Sequence, residues 1–131
     1  MNKILKVLIL FCFAYFIIGC FSNDPIEKIK KYSGRYEGAL NTTENKRELT
    51  INNCTLIVND DNSIAITITG GNEYDDQITI AKEELTKIED NLYRASKNSK
   101  NYTFIFYSDY MNLTIENANN TTTDGKLPKK E

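Results

Sequence analysis

The amino-acid sequence predicts a mainly β domain, an antiparallel meander of about seven to eight short strands that forms a small barrel or a strongly curved sheet, preceded by a short N-terminal helix. The first observation is a two-residue alternation, clearest where Ile64, Ile66 and Ile68 alternate with Ala and Thr. Such alternation is typical of strands with one face in a core and one in water. The second is a cluster of Asn, Asp, Gly or Ser every eight to twelve positions, which predicts hairpin turns. The length of 131 residues suits one small domain.

Eight segments between 34 and 116 carry the strand pattern, and this range is the predicted β-barrel-like domain. In 81–88, Ala81, Leu85 and Ile88 also fit helical spacing, so strand and helix both stay open there. Residues 117–131 contain few apolar side chains and are predicted to form a disordered polar tail. The predicted strands cover 34–41, 48–58, 63–69, 77–81, 84–88, 91–96, 101–107 and 110–116.

The second predicted strand contains a change of parity. Leu49 and Ile51 occupy odd positions, whereas Cys54, Leu56 and Val58 occupy even ones. One face can hold both sets only if an extra residue intervenes. The sequence therefore predicts a β-bulge, or a break into two strands, near residues 52–53.

A short helix is predicted before the first strand. The Asp-Pro pair at 24–25 supplies a capping residue and a proline at the first helical position, and Gly34 can end the helix. Ile26, Ile29 and Tyr32 then form one apolar stripe, which needs a surface to cover. Together with the residues from Cys20 onward, this segment is the predicted tether and helix, 20–33.

The first nineteen residues predict an export signal. Lys3 and Lys6 give a positive start, and Val7 to Ile18 form an unbroken apolar run. Twelve residues are too few for a standard membrane-spanning helix, which needs about 20, but they match the apolar region of a signal peptide. An ordinary secretory signal that contains a cysteine, or an uncleaved anchor, is the alternative.

The end of that run, Ile17-Ile18-Gly19-Cys20, resembles the lipobox of bacterial lipoproteins, with Ile17 where leucine is commoner, as spirochaete-type lipoboxes allow. The resemblance implies cleavage between Gly19 and Cys20 and attachment of a diacylglyceryl group to Cys20. It also implies a lipid-anchored protein of the bacterial cell envelope. The outer membrane is the expected location, on either its periplasmic face or the cell surface.

Composition narrows the chemistry. The chain has no histidine, so it cannot form a Ser-His-Asp or Cys-His pair, and this excludes most hydrolase mechanisms. Loss of residues 1–19 removes two lysines and no acidic residue, so the remaining chain carries a net charge of about −4. An acidic chain lacks the basic surface expected of a nucleic-acid binder. We therefore expect no enzyme activity, no cofactor and no nucleic-acid partner.

Acidic residues group around two predicted turns, at Asp60-Asp61 and across Glu73–Asp76. They flank one strand of seven residues, which holds them roughly 20 Å apart, so they cannot share one ion. Solvated turn acids are the expected role, with a weak calcium site at Glu73–Asp76 as the alternative, and no metal site is predicted. Cys54 would be the lone cysteine beside a lipidated Cys20, which predicts a small buried core residue; an intermolecular disulfide is the alternative.

Aromatic side chains form the candidate contact site for a protein or a ligand. Tyr102, Phe104 and Phe106 share one face of a strand, and Tyr107 lies on the opposite face, near Tyr110. A strand that is apolar on both faces needs cover on both. Either the N-terminal helix supplies it, or Tyr107 and Tyr110 form an exposed patch that contacts another protein or a second copy.

The start of the first strand, Gly34-Arg35-Tyr36 directly after a short helix, is similar to the G-x-W start of lipocalins, with Tyr36 in place of Trp. That resemblance implies a barrel carrying a small hydrophobic ligand. The overall layout also looks like that of lipoprotein inhibitors of host lysozyme. A non-catalytic envelope lipoprotein that binds another protein or serves a structural role is the leading interpretation, with a ligand carrier and a host-factor inhibitor as alternatives.

Overall fold

The computed structural model describes Ile29 and residues 31–130 and has a mainly β, antiparallel fold, which confirms the predicted fold class. Within this part of the chain, helical structure after Gly34 is limited to one 3-10 turn, Lys82–Glu84. The strands are β1 (Gly34–Glu44), β2 (Arg47–Val58), β3 (Ile64–Thr69), β4 (Asp76–Ile80), β5 (Thr86–Glu89), β6 (Leu92–Lys97), β7 (Lys100–Phe106), β8 (Tyr110–Glu116) and β9 (Thr122–Lys130).

All nine strands belong to one sheet, in the spatial order β4-β3-β2-β1-β9-β8-β7-β6-β5. Hairpins connect β1 to β4 into one meander and β6 to β8 into another, with β5 at the outer edge of the second. Strand β9 pairs with both β1 and β8 and so joins the two meanders. The sheet curls into a half-barrel.

Side-chain contacts connect the edge strand β4 to the β6–β7 hairpin on the other side of the curled sheet. The Lys97 ammonium group donates to the Thr79 carbonyl oxygen at 2.7 Å, and Lys100 approaches Asp76 at 3.5 Å. Both lysines belong to the β6–β7 hairpin, whereas their partners lie on the edge strand β4. These contacts place β4 beside the β6–β7 hairpin. Charged groups at a sheet edge also discourage pairing with another chain.

The core fills the concave face of the half-barrel. Inward positions recur every second residue along β3, β7 and β8, as the alternation in the sequence predicts. Their packing removes apolar area from water, which is the main stabilising contribution to such a fold. The largest fully buried side chains include Tyr36, Leu40, Leu56, Ile64, Ile66, Ile80, Tyr93, Tyr102, Phe104, Phe106 and Met111.

The prediction of a disordered tail at 117–131 is wrong, because Thr122–Lys130 is a central strand. Its inward side chains include Thr123 and Leu127, both almost fully buried. The β1–β9 ladder pairs Lys129 with Tyr36 and resumes only at Asp124, so Pro128 lies in a gap of that ladder. Proline has no backbone N–H to donate, and it is tolerated inside the strand because no ladder hydrogen bond is needed there. The β domain therefore extends from 34 to 130 and not to 116.

Strands β1 and β9 approach closely at Gly38. A Cβ atom placed on Gly38 would lie 2.6 Å from the Lys126 carbonyl oxygen and 3.0 Å from Cδ2 of Leu127. On β9, Gly125 faces the backbone of Ala39 in the same way. Two glycines thus allow the two backbones to approach each other closely within the gap of the β1–β9 ladder.

The parity change in β2 is resolved differently from the predicted bulge at 52–53. Pairing runs without interruption through Asn52 and Asn53, and the irregularity lies at Leu49, between the pairs Thr42–Thr50 and Thr43–Glu48. Leu49 and Ile51 point outward and are exposed. The hydrophobic character of these two residues indicated burial, but the register places them on the solvent face.

The ambiguous segment 81–88 contains both types of structure. Lys82–Glu84 is the 3-10 turn, and Thr86–Glu89 is the edge strand β5. The Glu84 carboxylate accepts a hydrogen bond from the Ala81 amide at 3.0 Å and thereby closes the turn. Both interpretations of this segment were therefore partly right.

Most of the predicted N-terminal helix, and all of the predicted signal segment 1–19, lie outside the described residues. Ile29 is helical and almost fully buried, and the Tyr32 amide donates to the Ile29 carbonyl oxygen at 2.9 Å. Ile29 belongs to the core of the half-barrel. The N-terminal segment therefore meets the sheet at the end where β1 begins.

Candidate functional site

The five aromatic residues predicted as contacts separate onto the two faces of the sheet. Tyr102, Phe104 and Phe106 are core residues with almost no exposure, so a role in a protein interface is wrong for these three. Tyr107 is 38% exposed, and Tyr110 is partly buried. The surface part of the prediction is thus reduced to Tyr107 and Tyr110.

On the concave face, Phe106 is the centre of an aromatic cluster. The Tyr32 ring stacks on it at 4.8 Å, and the rings of Tyr36 and Tyr93 lie 5.9 and 6.0 Å away. The Tyr36 hydroxyl donates to the Tyr32 carbonyl oxygen at 2.7 Å. Burial, and to a smaller degree the neighbouring Tyr32, raise the pKa of Tyr36 to about 12. This cluster fixes the N-terminal segment to the inner face, so its described residues do not cover Tyr107 and Tyr110.

Tyr107 and Tyr110 form a rigid pair on the outer surface at the β7–β8 turn. Their rings stack at 4.6 Å, and the Tyr107 amide donates to the Tyr110 carbonyl oxygen at 2.9 Å. The Lys126 ammonium group lies 4.2 Å from the centre of the Tyr110 ring, a cation–π contact. Because backbone and ring contacts hold both tyrosines, the pair presents a preformed surface.

The end of β9 lies beside the turn that carries the tyrosine pair, with the Lys129 side chain on the inner face. The Lys129 amide donates to the Asp109 carbonyl oxygen at 2.8 Å, which ties the end of β9 to the β7–β8 turn. The Lys129 ammonium group lies 5.9 Å from the Tyr36 ring centre, and Lys130 pairs with Arg35 of β1. We call Tyr107, Tyr110, Lys126, Lys129 and Lys130 the tyrosine–lysine rim.

The concave face is polar at the opposite end of the half-barrel. Thr42 and Thr123 share a hydrogen bond at 2.7 Å, and the Asn117 amide group donates to Thr123 at 2.9 Å. The Asn52 side chain donates to Asn72 and Asp75, at 3.0 Å each. Sequence reasoning missed this network, because asparagine and threonine are abundant in the chain and carry no distinguishing pattern. Within each of the two groups the polar side chains hydrogen-bond to one another, which allows their burial.

The acidic groups at the turns have structural partners. Asp75 accepts hydrogen bonds from Asn52 and from the Gly71 amide, and Asp61 accepts from the Ser63 amide and hydroxyl. The Ser63 hydrogen bonds lower the pKa of Asp61 below its ordinary value. Among the described residues, no three His, Cys, Asp or Glu side chains come together in a way that could hold a metal ion.

Cys54 lies in the core of the half-barrel with 2% exposure, as the sequence predicts. It is a free cysteine, and burial raises the pKa of its thiol to about 12. The thiol is therefore protonated and inaccessible at neutral pH. An intermolecular disulfide through Cys54 is incompatible with that position.

A shallow polar depression of about 300 Å³ lies on the outer face of β6, β7 and β8. The Ser96 hydroxyl donates to the Asn101 side chain across it at 2.7 Å. It is open to solvent along one side and contains no convergent set of buried polar groups. Its lining is Arg94, Ala95, Ser96, Asn101, Tyr102, Thr103 and Glu116.

Comparison with known proteins gives no relative for this chain: no family model, no curated protein and no solved structure matches it. Across Ile29 and residues 31–130, no helix has both the length and the apolar character needed to span a bilayer.

Proposed function

We propose that the chain is a lipid-anchored lipoprotein of the bacterial cell envelope whose β domain is a non-catalytic binding or structural module. The carrying observation is the sequence Ile17-Ile18-Gly19-Cys20 at the end of a twelve-residue apolar run with a positive start. A lipid attached at Cys20 would stabilise membrane binding by about 0.8 kcal/mol for each buried methylene, and two or more chains anchor stably.

The half-barrel supports a function at the outer surface. Large side chains such as Tyr36, Leu56 and Phe104 fill the concave face and leave it closely packed. A lipocalin-like carrier instead needs room among these side chains for its ligand. The packing therefore favours contact with another protein over carriage of a small hydrophobic molecule. The absence of histidine from the whole chain supports a non-catalytic role.

Lipidation is tested by growing the producing bacterium with labelled palmitate and isolating the protein. Label should follow the wild-type chain and Cys54→Ala but not Cys20→Ala, because Cys20 is the proposed site of attachment. The intact mass of the purified protein should correspond to a chain that begins at residue 20 and carries acyl groups. Label retained by Cys20→Ala, or a wild-type chain without label, would refute the anchor.

The location of the domain is tested by treating intact and permeabilised cells with protease. A domain displayed on the surface is degraded in both, whereas a periplasmic domain is degraded only after permeabilisation. A partner protein should copurify with the mature chain after mild cross-linking in cells. Copurification of a stoichiometric hydrophobic molecule in native mass spectrometry would instead favour the carrier function.

A further inference from the structure

We propose that Lys97, Glu84 and Asp76 form an edge lock that keeps β4 from pairing with β4 of a second copy of the chain. Release of Lys97 then turns β4 into a dimerisation strand. This inference goes beyond the proposed function and does not depend on lipidation at Cys20. It rests on the direction of the backbone groups of β4, on the side chains that occupy them, and on the way those groups would meet in a symmetric pair of strands.

Strand β4 is an edge of the sheet, so within the described residues only its β3 side has a neighbouring strand. Along an antiparallel strand, successive residues direct their N–H and C=O groups to alternate sides. The Gln77 amide donates to the Asp76 carboxylate at 2.9 Å. The Thr79 carbonyl oxygen and the Ala81 amide also meet side chains. The odd-numbered residues from 77 to 81 therefore carry the backbone groups that face away from β3.

Lys97 and Glu84 act together on this free side. The Lys97 ammonium group donates to the Thr79 carbonyl oxygen at 2.7 Å and to a Glu84 oxygen at 3.0 Å. The same Glu84 oxygen accepts from the Ala81 amide at 3.0 Å. The hydrogen bond from Ala81, and to a smaller degree that from Lys97, lower the pKa of Glu84, so its carboxylate is charged at neutral pH. Lys97 has the inward parity of β6, and inward-pointing charges protect a sheet edge from strand pairing.

A second copy fits this side because β4 is self-complementary about a two-fold axis at Ile78. Gln77 of one strand then lies opposite Thr79 of the other, and each such pair exchanges two backbone hydrogen bonds. Symmetry supplies the second pair, as in a homodimer with a two-fold axis. Positions 78–80 are all β-branched, which favours an extended strand. The lock occupies two of the groups that this pairing needs, the Gln77 amide and the Thr79 carbonyl oxygen.

The opposite margin of the sheet is protected in another way. Strand β5 is four residues long, and its pairing with β6 shifts between Lys87 and Glu89. A short and irregular edge strand is a poor template for another chain. Of the two margins, β4 is therefore the one that needs a lock.

The lock is tested by counting copies of the full chain, released from detergent, by native mass spectrometry over a concentration series. The wild type should stay monomeric, and so should Lys97→Arg, which keeps the charge and the donors. Lys97→Met removes both and should dimerise. We expect its dissociation constant to lie at least about ten-fold below the highest concentration at which the wild type is monomeric, because one freed backbone hydrogen bond changes binding by about that factor.

The matched control is Lys100→Met on the same hairpin. Lys100 contacts the Asp76 carboxylate at 3.5 Å. This variant makes the same change of charge and hydrophobicity, but it leaves the Thr79 carbonyl oxygen bound to Lys97. It should therefore remain monomeric.

The position of the contact is tested by hydrogen exchange. The Thr79 amide should exchange at least about ten-fold more slowly in the Lys97→Met dimer than in the wild type, because it donates to the second copy there. Adding Thr79→Pro to Lys97→Met removes this donor. Proline is tolerated on the free side of an edge strand, so the double variant should return to the monomer.

Circular dichroism confirms that the variants keep the β fold. If Lys97→Met does not fold, Glu84→Gln tests the same lock, since it keeps an acceptor for the Ala81 amide but loses the charge that holds Lys97. A smaller shift towards the dimer is then expected, and a Glu84→Gln chain as monomeric as the wild type would contradict the lock.

Several outcomes would overturn the proposal. Dimerisation of the wild type, or equal dimerisation of Lys97→Met and Lys100→Met, would show that Lys97 is not a lock. A folded Lys97→Met chain that stays monomeric would show that β4 does not accept a second copy, even if its Thr79 amide became protected within the same chain. A dimer that survives Thr79→Pro would place the contact elsewhere.

Discussion

The close approach of β1 and β9 makes Gly38→Ala the sharpest test of the fold. The new Cβ atom would lie 2.6 Å from the backbone oxygen of Lys126, about 0.8 Å inside the 3.4 Å at which ordinary contact begins. The nearest atom belongs to a strand held on both sides and cannot rotate away. Overpacking typically costs about 1–3 kcal/mol, and the upper half of that range applies because the obstacle is backbone.

An opposing contribution must be subtracted. Replacing glycine by alanine within a strand stabilises the folded state by about 0.5–1 kcal/mol through the smaller entropy of the unfolded chain. The net loss in the free energy of unfolding is then about 1–2.5 kcal/mol, and the melting temperature of a domain this size falls by roughly 4–20 °C. Thermal and urea unfolding of the wild type, Gly38→Ala and the outward-facing control Ala39→Ser measure it; the control should stay within about 0.5 kcal/mol.

The sign of the effect decides the outcome. If residues 117–131 were a disordered tail, nothing would lie above Gly38, and alanine would leave stability unchanged or raise it. A Gly38→Ala protein that melts at or above the wild-type temperature would therefore refute both the position of β9 and the reasoning from its backbone contact.

Four further outcomes are expected. Ile29→Asp places a carboxylate in the core and should lower the free energy of unfolding by more than about 3 kcal/mol. The half-exposed control Ile57→Asp should lower it by less than about 1 kcal/mol. Equal losses for the two variants would show that Ile29 is not buried. Truncation before Thr122 should abolish cooperative unfolding, and a shortened chain with a sharp transition would exclude a central β9. Asn52→Ala removes the side chain that ties the β3–β4 loop and should cost about 1–3 kcal/mol while speeding hydrogen exchange in that loop; unchanged exchange would contradict the network. The native pKa of Cys54 lies above that of an unfolded thiol, so the thiol should resist thiol reagents until the protein unfolds, and rapid labelling of the native protein would contradict its burial. The stability that the protonated thiol contributes is complete below about pH 9 and should disappear as the pH rises towards 12. Cys54→Ala should lack this part of the pH dependence of the free energy of unfolding.

The strands with a strict apolar alternation could be predicted from the sequence because their two faces meet different environments. β3 and β8 were found within one residue of their observed bounds for that reason. β9 could not, because its inward positions carry Thr123 and Gly125, and only Leu127 is a large apolar residue. Thr123 can be buried because its hydroxyl hydrogen-bonds to Thr42 and Asn117. The periodicity of apolar residues along the sequence does not reveal such partners.

The candidate site was predictable in part. Tyr107 and Tyr110 were identified as a possible surface pair, since outward aromatic residues next to a turn have no partner within their own strand. The three lysines of the rim were assigned to a disordered tail, because they follow the strand that periodicity missed. Only the pairing of β9 with β8 brings one of them, Lys126, onto the Tyr110 ring.

The position of β9 has a consequence for how the protein is made. Since β9 lies between the two meanders, neither can complete its hydrogen-bonding surface until residue 130 has left the ribosome. A nascent chain in this condition lacks its central strand for most of its synthesis. Completion of the sheet is thereby postponed until the last strand has been made, and the order of the strands along the chain sets the timing.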